Sequence, residues 1–350
     1  MDLLHFKEGF FERIWGGQRL RQLYGMDAPA DQPIGEAWLI ADHDVHESVV
    51  DEGPLEGITL RALLERDAEA ILGSRAQLTV HGRFPLLLKV LDSNDHLSVQ
   101  VHPDNECAKS LNEPDVGKTE MWHVLHADPG SELICGLDTT VAADTLAGAV
   151  HDGTLEDLMT RFEVHPGDSV FVSAGTVHAI GGGIVLAEIQ QNSDLTYRLY
   201  DWGRVQADGT PRELHVEKAM NAIHFGSPSG GKAEPLAYQL GDCRCEVLAA
   251  CEYFAAELVH IEGAYCRLVE GQSFHIALCI KGEITVSAGD AARPLRPAEA
   301  VLIPGSQARY EADGAGQLLD YYVPDLAKDL ADPLQQAGHP ADAIQRLIGA

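Results

Sequence analysis

The chain of 350 residues reads as a mainly β protein: two jelly-roll-like β-barrels with helical insertions and a helical C-terminal tail. Three observations predict this class. Short apolar runs of strand length crowd the middle of the chain, each bounded by Gly, Pro, Asp or Asn. A turn–strand–turn pattern occurs twice, as P-G-D-S-V-F-V-S-A-G-T-V-H at 166–178 and as P-A-E-A-V-L-I-P-G-S-Q-A-R at 297–309. Helical spacing is confined to a few windows and the far end.

Taken in order, Phe84–Leu91, Leu97–Val101, Met121–Leu125, Glu132–Ile134, Ser169–Val172 and Ile184–Ile189 read as strands. Thr59–Ile71 starts on a Thr cap and sets Leu60, Leu63, Leu64 and Ile71 at helical spacing. Asp138–Phe162, rich in Ala and Leu and broken at His151-Asp-Gly153, reads as a pair of helices. Helical insertions are therefore expected at about 55–82 and 138–163. Gly226–Gly231 has linker composition, strands resume at Leu248 and run to about Val323, and Leu326–Ala350 is helical around a break at Gly338–Pro340. The expected division is 1–225, 232–325 and a tail, 326–350.

The two copies align without a gap. Pro166 meets Pro297, Asp168 meets Glu299, and Val170-Phe171-Val172 falls on Val301-Leu302-Ile303. The informative mismatch comes last: His178 corresponds to Arg309. If His178 holds a metal ion, the second copy has lost that ligand, and only the first carries chemistry.

Composition narrows the function. Lys plus Arg number 25 against 54 Asp plus Glu, a net charge of −29. Nucleic acid is excluded as a partner, because phosphate-backbone binding needs a basic face and no dense Lys/Arg cluster occurs. A small anionic substrate would need a local pocket of positive charge to oppose that field. No membrane association is expected: the start, Met-Asp-Leu-Leu-His-Phe-Lys-Glu, lacks a signal pattern, and the most apolar run is interrupted by Lys89. Seven scattered cysteines without a Cys-x-x-Cys pair suit reduced thiols in the cytoplasm.

The segment L-S-V-Q-V-H-P puts Gln100 and His102 two residues apart, on one face of a strand. Glu120 opens the next strand, and His178 follows the small-residue turn Ser173-Ala-Gly-Thr176. Two imidazoles, a carboxylate and an amide oxygen make a mixed site that suits zinc, with iron(II) or manganese as competitors. Each residue alone has an ordinary use. A His at a strand end is commonly structural, Gln100 a half-exposed strand residue, and Glu120 a partner for Lys118. Other suggestive groups are weaker. His123 and His126 face opposite sides of a strand, Asp42, His43, Asp44 and His46 sit in a polar turn, and Gly181–Gly183 opens no helix. Cys243 and Cys245 share a strand face too closely for an unstrained bridge.

Longer stretches carry a resemblance. Ile14-Trp-Gly-Gly17, Gly35-Glu-Ala-Trp38, P-L-L-L-K-V-L-D-S-N-D-H-L-S-V-Q-V-H-P-D (85–104) and G-K-T-E-M-W (117–122) occur in order. They are followed by G-T-V-H-A-I-G-G-G (175–183) and E-I-Q-Q-N-S-D-L-T-Y-R-L-Y-D (188–201). In these the chain resembles the type I mannose-6-phosphate isomerases, metal-dependent cupins, and is most similar to their short bacterial form. The likeness covers most of 10–205; the second half matches only as a degenerate cupin. It implies a bicupin that interconverts mannose 6-phosphate and fructose 6-phosphate through an enediol, with one metal ion, expected to be zinc.

Residue by residue, the resemblance implies that His102, Glu120 and His178 are metal ligands, with Gln100 as a fourth ligand found in longer members. It makes Arg198 the active-site arginine, sets Lys118 and Glu188 as polar groups lining the substrate pocket, and puts Ser98 and Arg204 at the phosphate. Arg198 cannot act as an acid at neutral pH, so it would orient substrate and stabilise the enediolate. Lys118 or Glu188 would shuttle the proton, with metal-bound hydroxide as a further candidate base. Two other functions fit the same pattern. One is isomerisation of an unphosphorylated sugar such as mannose; the other is a non-catalytic sugar-binding cupin that keeps its metal. Lys118, Glu188 and Arg198 together argue against a mere binding module.

Overall fold

A computed structural model describes residues 1–206, 208–226 and 231–348. Most of the linker-like stretch 226–231 thus lies outside the described residues. The chain forms two compact units. One comprises Phe10–Ala37 and Lys89–Lys232; the other comprises Met1–Gly9, Trp38–Leu88 and the residues from Ala233 onward.

The first unit is built on two layers of strands. One sheet runs in the order Gly9–Gly17, Ile34–Ile40, Leu86–Ser93, Ile184–Gln191, Glu120–Ala127, Ser169–Val172. The other runs Tyr197–Tyr200, Val99–Val101, His178–Ile180, Glu132–Leu137, Met159–Glu163. Trp122, Val124, Val170 and Leu186 of the first sheet share a core with Leu133, Cys135 and Ile180 of the second. Apolar faces of two sheets removed from water together hold such a sandwich.

The outer face of the five-stranded sheet is covered by helices. Val99, Val101, Tyr197 and Leu199 pack there with Leu146 of helix Ala143–Asp152 and with Ala219 and Ala222 of helix Val216–Ala222. Strand alternation then leaves Gln100 and Arg198 pointing to the opposite side, between the layers. This division of faces creates the site.

The second unit carries a seven-stranded sheet. Its central strands Ala255–Leu268, Arg309–Tyr322 and His275–Ala288 lie side by side, with Ala300–Ile303 pairing on His275–Ala288. Leu330, Leu334 and Ile344 from the helical tail join its core. The tail breaks as expected, at Gly338 (φ 89°), before helix Ala341–Ile348.

The internal repeat is structural. Ser169–Val172 and Ala300–Ile303 are both strands, and His178 and Arg309 both begin the next strand. Gly167 (φ 97°) and Ala298 (φ 71°) hold the same left-handed turn. In each turn a carboxylate caps the loop: Asp168 Oδ2 accepts from His165 N at 2.7 Å, and Glu299 Oε2 from Arg296 N at 2.8 Å. Arg309 is exposed and pairs with Glu311, so the second copy presents no imidazole at this position.

Most predicted elements are found, with two corrections. Strands resume at Leu236 rather than Leu248, as Leu236–Leu240 and Cys243–Ala250. Thr59 caps helix Leu60–Leu72 by accepting from Ala62 N at 3.2 Å, and Leu60, Leu63, Leu64 and Ile71 are its buried face. The expected second helix within Asp138–Phe162 is absent. Helix Ala143–Asp152 ends at left-handed Gly153; a short 3-10 turn, Leu155–Leu158, leads into strand Met159–Glu163. A free edge on Glu132–Leu137 accepts that segment, and ladder pairing overrides its local helical preference.

Candidate active site

Three strands of the five-stranded sheet place the site residues in one cross-strand row. Arg198 pairs with Gln100, and Gln100 pairs with His178. The facing sheet contributes a second pair of rows, in which Gln190 stands across from Glu120 and Glu188 across from Trp122. Residues far apart in sequence therefore meet between the layers because neighbours in a ladder lie about 5 Å apart.

His102, Glu120 and His178 converge, each buried, with one ligand atom apiece within 4.8 Å of the others. Among the described residues they are the only such group of His, Cys, Asp and Glu. Both imidazoles are oriented by backbone carbonyls. His102 Nδ1 donates to Leu195 O at 2.6 Å, and His178 Nδ1 donates to Thr176 O at 2.9 Å. That leaves each Nε2 as a lone pair aimed at the carboxylate: His102 Nε2 is 3.6 Å from Glu120 Oε2, and His178 Nε2 is 3.4 Å from Glu120 Oε1. Burial keeps both rings neutral, driving His178 down to about 4 and holding His102 well below the ordinary imidazole value. Neutral imidazoles fixed by a bond at the other nitrogen are what a metal ligand requires. His102 Nε2 is moreover buried without a hydrogen-bond partner. The residues fit a divalent cation.

Gln100 adjoins this trio. Its Nε2 lies 3.3 Å from His178 Nε2, and its Oε1 accepts from Ser98 Oγ at 3.2 Å. A half-turn of the amide exchanges the two ends, which would direct Oε1 to the cation and let Nε2 donate to Ser98.

Charged groups continue outward. Lys118 Nζ sits 2.8 Å from Glu120 Oε2 and 3.9 Å from Glu188 Oε1. Burial alone would lower its pKa, but those two carboxylates outweigh burial and hold it raised, as an ammonium. Glu188 Oε2 accepts from the Trp122 indole N–H at 3.0 Å. Burial raises the Glu188 pKa and the Glu120 charge adds to this, against Lys118 and Lys89. Reading the sequence alone missed Lys89, whose Nζ lies 3.6 Å from Glu188 Oε1 and 3.8 Å from Glu36 Oε2. The signal was available: one lysine inside the otherwise apolar run P-L-L-L-K-V-L. Glu36 in turn accepts from Arg13 Nε at 2.8 Å.

A cleft of about 320 Å³ opens onto these groups, lined among others by Ser98, Gln100, Lys118, Glu188, Arg198 and Arg212. Arg204 is not part of its wall; it bonds Asp201 at 2.6 Å and the His96 carbonyl. The remaining suggestive residues are used elsewhere. His123 bonds Ser169, His126 bonds Asp128, and Asp42 accepts from Arg61 and the Phe84 amide. The seven cysteines are all free.

Comparison with known proteins gives this arrangement its context. Residues 3–131 match the family model described as phosphomannose isomerase type I, catalytic domain, and residues 245–323 match mannose-6-phosphate isomerase, cupin domain. The chain is 36% identical to the mannose-6-phosphate isomerase ManA of Bacillus subtilis, over 90% of this chain and 97% of that protein. The chain belongs to the type I mannose-6-phosphate isomerase family. A mannose-6-phosphate isomerase of Streptococcus mutans is 34% identical over 89% of this chain and 95% of its own length. The crystal structure of the mannose 6-phosphate isomerase from Bacillus subtilis superposes with a TM-score of 0.83 at 31% identity, covering 92% of this chain and 99% of that one. A phosphomannose isomerase variant from Salmonella typhimurium, at 19% identity and TM-score 0.74 over 92% and 100% of the two chains, shares the fold. Family membership and the matched cupin domain thus agree with the mainly β cupin class expected from sequence.

Proposed function

We infer that the chain is a metal-dependent aldose–ketose isomerase interconverting D-mannose 6-phosphate and D-fructose 6-phosphate. The observation that carries this reading is the meeting of His102, Glu120 and His178 beside a cleft that also holds Lys118, Glu188 and Arg198. We assign the cation as zinc, since two imidazoles, a carboxylate and an amide suit its borderline character, with iron(II) and manganese as competitors. Gln100 is the proposed fourth ligand.

The reaction moves one proton between C1 and C2 of the open-chain sugar and a second between O1 and O2. His102, Glu120 and His178 would hold the divalent ion, which when bound would supply Lewis-acid stabilisation for negative charge developing on the sugar oxygens. The protein's own groups do the rest. Glu188 Oε2 is tied by Trp122, which leaves Oε1 as the atom that takes the proton from one carbon and returns it to the other. Lys118 Nζ, 3.9 Å from that oxygen, keeps a positive charge beside the transfer. Arg198, permanently charged, orients the substrate and stabilises the enediolate. Ser98 lines the same cleft and offers a hydroxyl.

The chemistry resides in the first unit, inside the expected 1–225 division; 232–325 is proposed as a degenerate cupin, followed by a helical tail. The substrate partner is a sugar phosphate. Seven unpaired cysteines support placement in the cytoplasm; among the described residues no helix is long and apolar enough to cross a membrane.

Chelation followed by zinc restoration, read in a coupled assay on mannose 6-phosphate and on mannose, tests this reading. Activity should vanish with chelator, return with zinc, and strongly favour the phosphorylated sugar. Turnover indifferent to chelation would sink it.

A further inference from the structure

The cleft bordered by Arg198 has an electrostatic imbalance that the isomerisation chemistry does not use. Arg198, Arg204 and Arg212 gather around Asp201. Arg212 grips that carboxylate with two bonds, Nε to Oδ2 at 2.8 Å and Nη2 to Oδ1. Arg204 Nη2 shares Oδ1 at 2.6 Å, and its Nη1 reaches toward Asp95 at 3.6 Å. Arg198 has no such partner. Its Nη1 donates to the Glu213 carbonyl at 2.9 Å, its Nε (like that of Arg204) is buried without an acceptor, and among the described residues no carboxylate lies within ion-pair distance of it. Arg198 and Arg212 both face the cleft, whereas Arg204 is turned to the His96 carbonyl.

Two like charges at one cleft wall repel each other. Arg212 is the foremost charge pressing on Arg198, whose guanidinium is held below its usual pKa by burial and then by Arg212. A local excess of positive charge on a chain of net −29 is relieved when an anion settles between the two forks. Guanidinium presents a planar pair of donors that matches phosphate oxygens, and the Asp201 strut fixes the orientation of the Arg212 fork.

We propose that Arg212, beside Arg198, binds the phosphate group of the substrate, in place of Arg204. The assignment rests on the sugar-phosphate reading above and names the residue that would select the phosphorylated sugar.

The test uses the metal-loaded enzyme and three variants, Arg212→Gln, Arg212→Lys and Arg204→Gln, with inorganic phosphate as a competitive inhibitor. Arg212→Gln should raise KM for mannose 6-phosphate and the inhibition constant of phosphate by roughly 10- to 100-fold, with kcat changed far less. Arg212→Lys keeps the charge but loses the fork and should fall between. Arg204→Gln should shift both constants less than Arg212→Gln. Unchanged phosphate inhibition in Arg212→Gln, or a larger shift in Arg204→Gln, overturns the assignment. Should the Arg212 variants not fold, phosphate soaked into crystals of the unaltered enzyme decides: an ion on Arg212 supports the proposal, and one on Arg204 alone overturns it. Loss of phosphate binding in Arg212→Gln, in a protein that never turns over mannose 6-phosphate, would leave the anion site standing and remove the isomerase reading instead.

Discussion

Glu188 stands directly across the ladder from Trp122, and the Trp122 indole N–H donates to Glu188 Oε2 at 3.0 Å. The bond is made inside a wholly buried row, so one carboxylate oxygen is immobilised and the other is left facing Lys89 and Lys118. Replacing Trp122 with Phe keeps the apolar bulk and deletes this donor. A hydrogen bond to a charged group contributes about 1.5–3 kcal/mol, so kcat should drop about tenfold or more while KM stays nearly constant. Steady-state kinetics on mannose 6-phosphate give the answer, and an unchanged kcat would show that Glu188 needs no such anchor.

Glu120 has two tasks in this reading, as the proposed cation ligand and as the close partner of the buried Lys118 ammonium. Glu120→Gln should reduce activity by roughly 100-fold or more. It should also destabilise the chelator-treated protein by about 3 kcal/mol, because Lys118 is left with Glu188 at 3.9 Å. Denaturant titration with chelator present separates this loss from that of the metal. Unaltered stability there would mean that Lys118 is not held by Glu120.

His123 offers a pH test away from the cation. Burial pushes its pKa down to about 4 from an ordinary 6.5, and Ser169 Oγ lies 2.9 Å from its Nδ1. The unfolded chain takes up a proton on this ring as pH falls through 6.5, whereas the folded ring stays neutral until about 4. Stability from this residue is therefore complete above 6.5 and declines through that window, by about 3 kcal/mol in all. Subtracting the stability–pH curve of His123→Asn from that of the unaltered protein should isolate this slope. A flat difference curve would count against it.

Gly167 and Ala298 occupy matching turns, with φ of 97° and 71°. A Cβ built on Gly167 meets nothing within 4 Å, so only backbone strain opposes a side chain there. Gly167→Ala should cost about 1 kcal/mol, without loss of the fold, because Ala298 already tolerates the conformation in the sister turn. Thermal or chemical unfolding measures it; a loss several times larger would point to a clash absent from this turn.

Much of the site was legible because the chemistry-bearing residues lie in short strands with strong alternation. Val99-Gln100-Val101 announces two faces, and Gln100 then marks which one carries polar groups. The copy at 297–309 was equally readable, down to the exchange of His178 for Arg309. The second helix expected before Phe162 was not, since Met159–Glu163 is a strand only by virtue of the edge beside it. Lys89 and Glu36, both on strands, escaped notice for a similar reason, and Arg212, in a loop, because only the fold brings it to the cleft. Whether a charge in a strand meets solvent or another charge depends on neighbours that come from distant parts of the chain.

Sequence by itself determined the class of fold and the repeated turn, because periodicity is a local property, and it singled out the two imidazoles and the carboxylate through the family resemblance of the segments that carry them. Only tertiary structure decided that Arg198, Gln100 and His178 share a row, that Lys89 joins Glu188, and that Arg212 rather than Arg204 faces the cleft. Ladder register and the facing of two sheets set those distances, and both arise from burial of apolar surface summed over the whole unit.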